Sequence, residues 1–106
     1  MAKEFSISPL ESANAIKVVG ELDLFNAPLL RDALDEMSAQ PEILLDLTEV
    51  TFIDSSGLHS ILASAKSRNG AGPLAIRASR RVAAVFELLA LENHPGVRWQ
   101  EAEPLT

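Results

Sequence analysis

The chain has 106 residues, 47% of them hydrophobic, and nine Lys and Arg against fifteen Asp and Glu give a net charge of −6. A chain of this size builds one core, so residues 1–106 are expected to form one domain. The absence of cysteine excludes disulfides, thiolate metal sites and thiol nucleophiles. The acidic balance makes nucleic acid and anionic lipid surfaces poor partners. With no leader-like start and no run near the roughly 20 apolar residues that span a bilayer, a soluble cytoplasmic protein is expected.

In chain order, Phe5 and Ile7 alternate with Ser6 and Ser8 as a first strand, and the β-branched run Ala15 to Leu22 is a second, joined to it by a hairpin-length loop. Asn26 is the expected N-cap of a first helix. Pro28 lies in its first turn, Ala27, Leu30, Leu34 and Met37 form its stripe, and Gln40-Pro41 stops it. Ile43 to Leu47 is so uniformly apolar that it reads as a central strand covered on both faces, with a loop over 48–54. Leu58, Ile61, Leu62 and Ala65 give a second helix, closed at Asn69-Gly70 and followed by a turn through Pro73. Leu74, Ile76 and Ala78 alternate as a strand, and Ser79 caps a third helix that buries Val82, Val85, Phe86 and Leu89. Asn93 to Gly96 breaks that helix, Val97 and Trp99 mark a last short strand, and Glu101 to Thr106 reads as a frayed tail.

The order β-β-α-β-α-β-α-β predicts an α/β fold: a mixed sheet of about five strands, opened by a hairpin and continued by right-handed crossovers, with helices packed against it. In such sheets ligands and partners meet the carboxyl ends of the strands. Asp23, the 48–54 segment and Ser55 fall at that end. In Asp54-Ser55-Ser56-Gly57-Leu58 a serine hydroxyl stands at a strand-to-helix junction, where unpaired N–H groups favour oxygen-rich or anionic neighbours.

Catalysis fits these residues poorly. A hydrolase nucleophile elbow needs small residues around its serine, whereas Ile53 and Asp54 precede Ser55. His59, on the same helix, and His94, beside Pro95, are unconvincing bases and read as surface or capping residues. Asp23, Asp46 and Asp54 could converge on a hard cation, but Asp54 as a helix cap and Asp46 as a strand end explain them more simply. Gly70-Ala71-Gly72-Pro73 lacks the lysine and following helix of a phosphate-binding loop. No catalytic residue, metal or cofactor is therefore expected. Charge is uneven: Arg77, Arg80 and Arg81 lie close together, while Asp23, Asp46, Glu49 and Asp54 are acidic, a pattern that a solvated surface also explains.

Val19-Gly20-Glu21-Leu22-Asp23, Leu45-Asp46-Leu47-Thr48-Glu49-Val50 and Phe52-Ile53-Asp54-Ser55-Ser56-Gly57-Leu58 resemble the second strand, central strand and phosphorylation motif of STAS domains of the anti-sigma factor antagonist family. The resemblance covers nearly the whole chain. It implies a switch protein, not an enzyme. Its unphosphorylated form would bind an anti-sigma factor that is itself a GHKL-type serine kinase and so release sigma, and a PP2C-type phosphatase would reset it. Carried over, Ser55 is the phosphorylated residue, and Asp23, Asp54, Ser56 and Gly57 border the contact. A plain capped helix with a spare hydroxyl is the alternative at Ser55. An adaptor subunit of a lipid-transport ATPase and a small serine hydrolase are the alternative functions.

Overall fold

The computed structural model describes residues 4–10, 14–68, 72–89 and 94–100. Its elements are β1 (Ser6–Leu10), β2 (Ala15–Leu22), α1 (Ala27–Glu36), β3 (Ile43–Ile53), α2 (Ser55–Ser67), β4 (Leu74–Ala78), α3 (Arg80–Leu88) and β5 (Val97–Gln100). They form one sheet in the order β1-β2-β3-β4-β5, antiparallel between β1 and β2 and parallel elsewhere. The expected α/β fold with a mixed five-strand sheet is met.

Strand order and chain order coincide, so every β-α-β crossover steps the same way. With the usual right-handed crossover, all three helices then lie on one face. The register agrees. Ile16, Leu45, Ile76 and Trp99 lie opposite one another, and their row meets α3 where the Phe86 and Trp99 rings make an edge-to-face contact, centroids 4.9 Å apart. The neighbouring row, Ser8, Lys17, Asp46, Arg77 and Gln100, crosses all five strands on the other face, none of them fully buried. There Lys17 pairs with Glu49, which raises the lysine pKa.

Ile43 to Leu47 is thus buried on one face only, and the expectation of a strand covered on both sides is corrected. Leu44 and Asp46 alternate with the buried Ile43, Leu45 and Leu47. The strand also does not stop at Leu47. It runs to Ile53 through two bulges, one opposite Lys17–Val19 and one opposite Gly20–Glu21. Each inserts one residue, so the buried positions after Leu47 fall at Val50 and Ile53 and stay opposite Gly20 and Leu22. At the first bulge the Asp46 carboxylate accepts from the Thr48 N–H (2.9 Å) and hydroxyl (2.6 Å), replacing the ladder partner. Asp46 is therefore a mid-strand residue and not a strand end.

Smaller differences have similar local causes. β1 continues through Pro9, which an edge strand tolerates, to Leu10, and Asn14 turns with φ 49° into β2. Asn26 occupies the N-cap position of α1 but does not cap with its side chain, whose amide donates to the Glu21 carbonyl. α1 ends at Glu36, with turns carrying the chain on to Gln40. On α2, Leu58 and Ile61 are buried while Leu62 is half-buried. On α3, Val82 and Phe86 are buried and Val85 is half-buried, while Leu89, at the C-cap, is exposed, so the buried stripe is narrower than predicted by one residue on α2 and by two on α3. Ser79 caps α3 through the Val82 N–H, as its sequence position suggests. The expected breaks at Asn69-Gly70 and Asn93 and the tail from Glu101 lie outside the described residues.

Candidate partner-binding site

Leu22 and Ile53 are register partners, so β2 and β3 end side by side and deliver Asp23 and Asp54 to one edge of the sheet. Both aspartates organise backbone. Asp23 Oδ1 accepts from the N–H of Phe25 and of Asn26, and its carbonyl accepts from Asn26 and Ala27, turning the chain into α1. Asp54 Oδ1 accepts from Ser56 N (2.9 Å) and Gly57 N (3.1 Å), capping α2 in extended backbone at φ −109° and ψ −176°. The Asp54 N–H is in turn held by the Leu22 carbonyl at 3.2 Å.

That cap makes Ser55 the first residue of α2. It is exposed, and its hydroxyl takes part in no hydrogen bond among the described residues. Ser56 is half-buried beside it. Gly57 does not reach the surface: it is buried, and a Cβ there would lie 2.9 Å from Leu22 Cγ, 2.9 Å from the Leu22 carbonyl and 3.0 Å from Ile53 Cγ1. Its place in the motif is underneath, where lack of a side chain lets the first turn of α2 sit on the strand ends.

An open groove of about 500 Å³ runs between α1 and α2, lined by Leu24, Pro28 and Arg31 on one side and Ser55, Ser56 and His59 on the other. The same edge carries exposed apolar side chains, namely Leu24 (66% exposed), Phe25 (84%) and Phe52 (51%). Leu24 lines the groove, and Phe25 and Phe52 stand at the same end of the sheet; contiguous apolar groups left in water are characteristic of docking surfaces. The sequence motifs do not single out Leu24, Phe25 or Arg31, and they contain Phe52 only as part of the phosphorylation motif. Leu24-Phe25 directly after Asp23, and Phe52 just before Asp54, were the available signals.

Neither histidine hydrogen-bonds Ser55; His59 lines the groove one turn along α2, and His94 Nδ1 accepts from the Gly96 N–H in a local turn. Asp46 lies along β3 on the helix-free face, away from the edge that holds Asp23 and Asp54, and no cluster of three or more potential metal ligands occurs among the described residues. Arg77 sits within β4, and Arg80 and Arg81 are exposed on the first turn of α3. Among the described residues no helix is long and apolar enough to cross a membrane.

Comparison with known proteins agrees with this architecture. Residues 6–98 match a family model described as Mlab, STAS domain. An anti-sigma-B factor antagonist of Listeria monocytogenes is 34% identical over 92 residues, covering 83% of this chain and 81% of that protein, and the antagonist of the same name from Listeria innocua matches equally. Among solved structures, an anti-sigma factor antagonist from Mycobacterium paratuberculosis superposes with a TM-score of 0.73 at 20% identity, covering 89% of this chain and 83% of that one. The anti-sigma factor antagonist SpoIIAA in its unphosphorylated form does so at 0.71 and 20%, covering 94% and 89%. From the family model and the Listeria relatives together, the chain belongs to the STAS-domain family of anti-sigma factor antagonists.

Proposed function

We propose that this protein is a non-enzymatic anti-sigma factor antagonist whose unphosphorylated form binds an anti-sigma factor through the edge built by Asp23, Asp54, Ser55 and Ser56, with Gly57 setting the height of the helix beneath them. The observation that carries the reading is Ser55 itself, an exposed hydroxyl without a hydrogen-bond partner among the described residues, on the first turn of α2 and beside exposed Leu24, Phe25 and Phe52. The apolar side chains supply the area a partner buries. The hydroxyl supplies the switch.

The anti-sigma factor is read as a GHKL-type serine kinase. Ser55 Oγ attacks the γ-phosphorus of ATP held by that kinase; the new O–P bond forms as the bond to the β-phosphate oxygen breaks, ADP departs with the electron pair, and the serine proton passes to a base on the kinase. The product carries roughly −1.5 to −2 added charges near neutral pH, beside Asp23 and Asp54, on a surface the partner must desolvate. Binding weakens without refolding, and a PP2C-type phosphatase restores it. A solved structure of similar fold is of an antagonist in its unphosphorylated form, which supports a two-state protein of this kind.

Intact-mass analysis with site mapping, after incubation with ATP and GHKL-type anti-sigma kinases from the same genome, tests the assignment. One phosphate on Ser55, and none on a Ser55→Ala variant, is expected. No transfer from kinases shown to be active would overturn it. A second reading, an adaptor subunit of a lipid-transport ATPase, is favoured by the Mlab part of the family model's description; co-purification with membrane ATPase subunits would select it.

A further inference from the structure

Two basic side chains in the groove are not used by the reading above. Arg31 and His59 line it together with Ser55 and Ser56. Helical spacing puts them there: Ala27 and Arg31 are one turn apart on α1, Ser55 and His59 one turn apart on α2, and side chains four residues apart on a helix stand about 5–6 Å from each other at Cβ. The chain has a net charge of −6, and Asp35 lies one turn beyond Arg31. Even so, Arg31 forms no ion pair with any described residue. The carboxylates at the groove's edge are committed elsewhere, Asp23 to the Phe25 and Asn26 N–H groups and Asp54 to those of Ser56 and Gly57. Among the described residues an arginine thus stands without an ion-pair partner in the cleft that holds the candidate phosphorylated serine.

We propose that the Ser55 phosphate is held by its own chain, turning into the α1–α2 groove to pair with Arg31 across it and with His59 one turn along α2. The proposal rests on the Ser55 reading and deepens it, since phosphorylation then closes the groove as well as adding charge. The planar guanidinium offers two parallel N–H donors to phosphate oxygens, and the imidazole offers a further ring N–H. A phosphate and two basic side chains fill the space in which a partner side chain would lodge. Arg31 becomes the residue that decides how completely the phosphorylated surface is shut.

The test does not need the kinase, because phosphoserine can be installed at position 55 during translation. Phosphorus NMR then follows the phosphate through its second ionisation. The groups bearing on it are Glu21, Asp23 and Asp54, which raise its pKa, and Arg31 and His59, which lower it. Only Arg31 changes between wild type and Arg31→Gln. The wild-type phosphate is expected to ionise at a pH lower by about half a unit or more than in Arg31→Gln, whose value returns toward the ordinary figure near 6. Arg31→Lys, which keeps the charge but not the fork, should fall between them. Identical titrations of wild type and Arg31→Gln would overturn the pairing, whatever a kinase does. Failure of kinases to label Ser55 would instead overturn the switch, with the phosphate–arginine pair still measurable in the installed protein.

Discussion

Gly57→Ala is a substitution for which helix propensity and packing predict opposite signs. In an exposed helix interior, alanine for glycine stabilises by about 1 kcal/mol. Here the added methyl would meet the Leu22 carbonyl and Leu22 Cγ at 2.9 Å and Ile53 Cγ1 at 3.0 Å. None of these gives way easily. Leu22 is fully buried, Ile53 nearly so, and the Leu22 carbonyl accepts from the Asp54 N–H, so moving it strains the cap that starts α2. Overpacking costs about 1–3 kcal/mol, and contact with backbone places this site near the upper end. Setting about 3 kcal/mol of overpacking against about 1 of propensity leaves a net loss near 2 kcal/mol, or a fall in Tm of roughly 8 °C for a domain of this size. Urea unfolding can be followed through Trp99, the only tryptophan, which rests half-buried on Phe86. An Ala variant as stable as wild type, or more so, would refute the seating of α2 on the strand ends.

Arg68 is 6% exposed and donates from Nε to the Gly72 carbonyl and from Nη2 to the Gln40 and Pro41 carbonyls, tying the segments before β3 and β4 together; Arg68→Met should cost about 1–2 kcal/mol in urea unfolding, as part-buried carbonyls lose a charged donor that water replaces only in part. Ile61→Ala should cost about 3–4 kcal/mol and Leu62→Ala only about 1–2, because the first is buried and the second half-buried; equal losses would contradict the orientation of α2. Asp54→Ala should lower stability by about 1–2 kcal/mol through the uncapped Ser56 and Gly57 N–H groups, measured the same way. Glu49, by hydrogen bond and charge, raises the Lys17 pKa above 10.5; the pair's contribution is therefore complete below the ordinary lysine range and lost as pH climbs through the raised value. The difference in urea midpoint between wild type and Lys17→Met should stay constant near neutrality and vanish in strong alkali.

Where hydrophobic spacing was regular, the elements could be read directly. Ala15 to Leu22, the Leu30–Leu34 stripe and the Ser79-capped third helix stand where the residues placed them. The period-two pattern breaks at Thr48-Glu49 and Thr51-Phe52 because β3 carries bulges there, so by pattern alone this stretch of strand looks like a loop and Asp46 like a strand end. Apolar content also misled at Leu44: an open sheet face accepts a leucine beside Ala15 and Ala75, and only the strand order shows that no helix covers it. Within the site, Asp54 as a cap was legible because its chemistry is local. The groove was not, because Arg31 and Ser55 meet only when two helices pack.

A switch at Ser55 is tested by the affinity of the unphosphorylated protein, and of Ser55→Ala and Ser55→Asp variants, for the cognate anti-sigma factor, measured by titration calorimetry with folding checked in parallel. Wild type and Ser55→Ala are expected to bind alike, and Ser55→Asp, or the phosphorylated protein, about 100-fold more weakly, equivalent to about 3 kcal/mol. Equal affinity for all forms would contradict a switch at Ser55 and leave Asp54-Ser55 as a structural cap.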